Sequence, residues 1–77
     1  MKNHKKQTIK IKKLLLDAEI TEQSIANRLG VHVSYISQII RFYRTSGDRV
    51  QSIRKYILRT INRKLGAKIS FKELWGE

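Results

Sequence analysis

Ser34, Tyr35, Ser37, Gln38, Arg41 and Arg44 follow one another closely in the middle of this chain. Their chemistry is recognition rather than bond-making. A hydroxyl donates and accepts, an amide sets a donor beside an acceptor, and a guanidinium offers a fork of donors. Such a set reads the polar pattern of another molecule or holds an anion. Catalysis asks for other groups. There is no cysteine, and the six carboxylates are scattered at positions 17, 19, 22, 48, 73 and 77. No phosphate-cradling glycine loop occurs. His4 and His32 are distant in sequence and lack thiol or carboxylate company. We therefore expect no enzyme, no metal site, no cofactor and no small-molecule ligand.

The charge balance narrows the partner. Seventeen lysines and arginines against six acids give a net charge of +11 over 77 residues, with a pI of about 10.5. Self-repulsion at this charge opposes the compact state and favours a polyanionic partner. Nucleic acid is the first expectation and an anionic membrane surface the second. No apolar run approaches the roughly 18 residues that span a bilayer. The basic start followed by Leu14–Leu16 stops at Asp17, without the small-residue cleavage site of a secretory signal. The expectation is a soluble protein of the bacterial cytoplasm, associated with the nucleoid when bound.

The elements that must position these residues are helical. Residues 1–8 are polar and lysine-rich and read as a flexible basic arm, with Lys2, Lys5 and Lys6 as its cations, ahead of a single domain over 9–77. From Ile9, the spacing of Ile11, Leu14, Leu15 and Ala18 predicts a first helix. Thr21 is an N-cap type residue with Glu22 in the first turn behind it, which predicts a second helix running to Leu29 and stopped by Gly30. A third starts near Val33, carries Ile36, Ile39 and Ile40 inward, and ends around Tyr43, before the Thr45-Ser46-Gly47 turn. Asp48 with Gln51 suggests a capping box. It opens a fourth helix striped by Val50, Ile53, Ile57, Ile61 and Leu65 and ended by Gly66. Ser70 and Glu73 suggest another box, opening a short helix anchored by Phe71, Leu74 and Trp75. The fold class is a compact all-α domain of five helices.

Helices 2 and 3 are joined by a short turn containing glycine, the pattern of a helix-turn-helix. Ala26 is small enough to let two helices cross closely. Ile25, Leu29, Val31, Ile36 and Ile39 face the common core. Val33, Ser34, Tyr35, Ser37, Gln38 and Arg41 are left pointing outward, on a convex face suited to the major groove of B-DNA, about 12 Å wide.

The pattern Ile25-Ala26, Leu29-Gly30-Val31, Ile36 and Ile39 resembles the helix-turn-helix of λ-repressor-like, Cro-type DNA-binding domains. The helix after it, with Arg54-Lys55-Tyr56-Ile57, and the closing Glu73-Leu74-Trp75 are similar to small phage regulators of the Ner type and their bacterial Nlp relatives. The resemblance covers nearly the whole chain. It implies that His32, Val33, Ser34 and Gln38 meet base edges. Gln38 would read adenine and Val33 would pack on a thymine methyl. Tyr35 would touch phosphate or a methyl. Arg41 and Arg44 would hold the backbone. Glutamine is frequent in the family where this chain has Glu22, whose carboxylate repels phosphate, so Gln23 is expected to take the phosphate contact. His32 stands where serine or threonine often caps the helix, and so either caps poorly or points at DNA.

Ser37, Arg49 and Arg54 complete the expected backbone contacts, the last two because they follow helix 3. The expected function is sequence-specific binding of double-stranded DNA by a small phage or prokaryotic transcriptional regulator, a repressor by preference, using helix 3 over about 33–43. A homodimer through the C-terminal helix, with Phe71 and Trp75 in contact, would put two copies on adjacent half-sites. The alternative is a charge-driven architectural, recombination or transposition accessory factor.

Overall fold

The computed structural model describes residues 4–76 of the chain. Its order is α1 (Lys5–Asp17), α2 (Glu22–Leu29), α3 (Val33–Ile40), α4 (Asp48–Leu65) and α5 (Phe71–Trp75), with no strand among the described residues. Each boundary has a local cause. The Thr21 hydroxyl accepts from the Ser24 N–H and the Ser24 hydroxyl accepts from the Thr21 N–H, a reciprocal box that opens α2. Gly30 closes α2 at φ 70°, and Val31 N–H returns to the Ala26 carbonyl. Ser70 opens α5 by accepting from the Glu73 N–H.

Helices α2 and α3 form the most intimate pair, with Ala26 fully buried at the contact. α1 packs on α3, α4 and α5, and α4 packs on α5. The core takes one stripe from each helix: Ile11 and Leu15, Ile25 and Ala26, Ile36 with Ile39 and Ile40, then Val50, Ile53, Ile57 and Ile61, and finally Leu74 and Trp75. Leu29 and Val31, expected in the core, are half-buried at its edge. The radius of gyration is 11.5 Å, close to the roughly 11 Å that general scaling gives a compact chain of this length. Among the described residues no helix is long and apolar enough to cross a membrane.

Four expectations change. Residues 5–8 are not an arm. They form the first turn of α1, and Lys5 and Lys6 are exposed helical residues; Lys2 lies outside the described residues. The Gln7 amide donates to the Glu73 and Leu74 carbonyls at the end of α5, and the Thr8 hydroxyl donates to the Ile40 carbonyl at the end of α3. Those carbonyls have no partner within their own helices, so polar contacts extend α1 where apolar spacing gave no signal.

Helix α3 ends at Ile40 rather than Tyr43, because Phe42 takes φ 65° and the Tyr43 and Arg44 N–H groups both turn back to the Gln38 carbonyl. Asp48 does not cap α4. Gly47 occupies the N-cap, and the Gln51 amide donates instead to the Thr45 carbonyl. Leu65, assigned to the stripe of α4, is 36% exposed, because it sits in the last turn next to the terminating Gly66.

Two changes test this packing. Ala26→Leu should overpack the α2–α3 crossing and lower stability by about 1–3 kcal/mol in a urea titration. Glu19 ends α1 at φ 58° and is exposed, with Ile20 N–H reaching back to Leu15. A left-handed L-residue costs about 1–2 kcal/mol, part of which glycine's greater freedom in the unfolded chain offsets. Glu19→Gly should therefore raise stability by about 0.5–1 kcal/mol in the same titration.

Candidate functional site

The polar groups of α3 come together with the loop behind it. Gln38 is half-buried, and its Oε1 accepts from Arg44 Nε at 2.6 Å. The same turn that ends α3 brings Arg44 back: with its N–H bonded to the Gln38 carbonyl, its side chain returns over the helix. The Arg44 guanidinium also lies 5.0 Å from the centre of the Tyr35 ring, and that of Arg49, from the first turn of α4, lies 5.6 Å from it. Tyr35 thus sits among two cations and an amide, packed against the core from below. An oxygen with two lone pairs accepts twice. The Gln38 oxygen therefore keeps one acceptor site, and its NH₂ group donates no hydrogen bond among the described residues.

The N-terminus of α3 is built by His32. Its Nδ1 accepts from the Ser34 N–H at 3.1 Å and lies 2.8 Å from Ser34 Oγ. Acceptance at Nδ1 places the ring proton on Nε2, at the exposed edge of the ring. Of the two roles open to His32 in the sequence, the cap is formed, and the exposed imidazole still leaves the outer edge free for a ligand. A hollow of about 260 Å³ opens beside this helix end, between Val31, His32, Tyr35 and Arg49. A helix N-terminus with an arginine beside it favours an anion.

The other expected contacts divide. Ser34 and Arg41 are exposed; Ser37 is half-buried; Val33 is half-buried and packs partly against the core. Gln23 is exposed at the start of α2, where its amide donates to Asn27 Oδ1, so those two side chains act as a pair. Glu22 is half-buried rather than projecting freely. Tyr43, not among the expected contacts, is 77% exposed next to Arg44. Its exposure follows from the turn at Phe42, which periodicity does not reveal.

Two expected roles are overturned. Arg54 is fully buried, with its guanidinium 5.4 Å from the centre of the Phe42 ring and 5.0 Å from that of Trp75. It cannot reach a phosphate on the surface. Trp75 is also fully buried, and its Nε1–H donates to the Arg54 carbonyl at 3.2 Å. It belongs to the core and not to a contact between copies. Phe71 is half-buried against the same core, with its ring centre 6.5 Å from that of Trp75. His4 stacks flat on Phe42 at 4.3 Å.

The role of His32 in the fold is measurable. His32→Ala removes the cap of α3 and should cost about 1 kcal/mol. His32→Asp should restore that stability or exceed it, since a carboxylate caps well and suits the helix dipole. Thermal melts of the two variants beside the parent check both.

Compared with protein-family models, with curated proteins and with solved structures, the chain finds no match in any of the three.

Proposed function

We propose that the protein binds duplex DNA sequence-specifically, as a small transcriptional regulator, with α2 and α3 acting as a helix-turn-helix and α3 as its reading helix. The observation that carries the reading is the Gln38–Arg44–Tyr35–Arg49 cluster on the outer face of α3. It combines an amide with a free donor and a free acceptor, which is the complement of adenine N7 and N6, with cations placed to meet the flanking phosphates. The short Gly30 turn, the buried Ala26 and the length of α3 suit the helix pair to this use.

Within this reading His32, Ser34 and Val33 lie at the end of α3 that enters the groove. Gln23, Arg41, Arg44 and Arg49 meet the backbone, together with Tyr35 and Ser37. Arg44 does more than neutralise a phosphate. By holding Gln38 Oε1 it sets the amide plane, and a pre-set group loses less freedom on binding. The charge-driven accessory factor is the second reading. It is favoured by one observation: of the 17 lysines and arginines, only Arg41, Arg44 and Arg49 fall between residues 33 and 49.

Selection from randomised duplexes at physiological salt separates the two. A regulator enriches a motif and prefers it over random sequence by roughly 10³-fold or more, whereas a charge-driven binder retains DNA without enrichment. On the enriched site, Gln38→Ala should cost about 1–3 kcal/mol and relax one base position. Arg44→Ala should also lose part of that specificity. In a double-mutant cycle the two should couple by about 0.5–3 kcal/mol, because they act through one hydrogen bond. Additive losses would show that Arg44 serves the phosphate alone.

A further inference from the structure

Most of the positive charge lies away from α3, and on α4 it is organised. The inward stripe of α4 is Val50, Ile53, Ile57 and Ile61. Lys55, Arg59 and Arg63 are exposed and follow at every fourth position along its outer side. They form one row, because residues four apart share a helix face. At 1.5 Å per residue the row is about 12 Å long, and each DNA strand sets a phosphate every 3.4 Å or so along the duplex axis.

At its C-terminal end the row meets a groove of about 420 Å³ between α2 and α4. Arg28, from the end of α2, lines it together with Arg63 and Lys64, and the hydroxyl-bearing Tyr56 and Thr60 lie between them. Glu19 is the one carboxylate lining this groove among the described residues, against three cations. Arg49, at the other end of α4, leans on Tyr35 and so marks the border of the α3 surface. Arg63 stands about 21 Å along the helix from it, and Arg59 about a quarter-turn around the axis from it. The row is thus displaced from the α3 surface, both along α4 and around it.

We propose that Lys55, Arg59 and Arg63, with Arg28 and Lys64, form a second phosphate-binding surface that holds a second segment of duplex DNA, so that one molecule bridges two duplexes. The inference rests on the proposed DNA binding through α3 and adds a partner to a different face. A row of evenly spaced cations with few hydrogen-bond acceptors and a polar groove suits a regular polyanion read for its charge. It has no features that select a base sequence.

The test is capture of one duplex by another. A duplex carrying the enriched site is fixed to beads, and a labelled duplex of unrelated sequence is offered in solution with the full-length protein. The parent should retain the labelled duplex. A variant with Lys55→Gln, Arg59→Gln and Arg63→Gln should retain about ten-fold less, while its affinity for the site duplex, titrated separately, changes by no more than about three-fold. A variant with Lys10→Gln, Lys12→Gln and Lys13→Gln, exposed on α1, has the same net charge and should retain the label like the parent. Equal capture by parent and α4 variant overturns the proposal, as does equal loss in the α1 variant, which would make the effect one of total charge. Site binding without capture overturns it alone. Retention of labelled polyglutamate in place of the duplex would assign the row to an acidic protein and overturn it as well. Failure to bind any duplex overturns the proposed function and this inference together.

Discussion

The arrangement hangs on one buried cation. Arg54 has no exposed surface, and its guanidinium lies against the rings of Phe42 and Trp75. Burying a charge is costly unless its surroundings compensate. Aromatic faces attract a cation by about 0.5–2 kcal/mol each, more as water is excluded. A guanidinium suits such a site better than an ammonium, being planar and more weakly hydrated. The same three residues tie together three parts of the chain: Phe42 lies in the turn after α3, Arg54 belongs to α4 and Trp75 closes α5. Trp75 Nε1–H fastens the last to the second through the Arg54 carbonyl.

The outer surface of α3 follows from this contact. Phe42 is held inward in a left-handed conformation that an L-residue adopts only when its surroundings demand it. His4 stacks flat on its ring, and Trp75 meets it edge-on. With Phe42 fixed, the chain must reverse at once, and Arg44 returns to Gln38. The polar cluster on α3 is therefore placed by an aromatic core on the opposite side of the helix end. Its Gln38–Arg44 bond is local in space but is set by contacts that run to residue 75.

Charge and stability pull against each other in so small a domain. Only a short core is available to resist the self-repulsion of a +11 chain. Polar clamps do part of the work: Gln7 and Thr8 take up helix-end carbonyls, and Asn62 holds the α4–α5 connection by giving and accepting a hydrogen bond with Ile69. The first two of these contacts join segments 66 and 32 residues apart in sequence, and the third clamps a short connection.

The helices and most of their ends were legible in the sequence because their causes are local. Apolar spacing marked the inward stripes of α1 and α4. Thr21, Gly30, Gly66 and Ser70 act within a turn of where they stand. Of the six residues of α3 and its end that periodicity placed outward, Ser34 and Arg41 are exposed, whereas Val33, Tyr35, Ser37 and Gln38 are half-buried. The misreadings at Arg54 and at residues 5–8 involve distant partners. Nothing near Arg54 distinguishes it from Lys55 or Arg59, since its burial comes from rings at positions 42 and 75. Nothing near Gln7 and Thr8 announces a helix, since what extends α1 is a set of carbonyls on α3 and α5. Sequence by itself determined which segments are helical and that the surface is strongly cationic, because propensity, capping and charge are properties of neighbours. Tertiary structure alone decided which arginine is interior and which amide an arginine holds, because burial and side-chain hydrogen bonds depend on what the folded chain brings near.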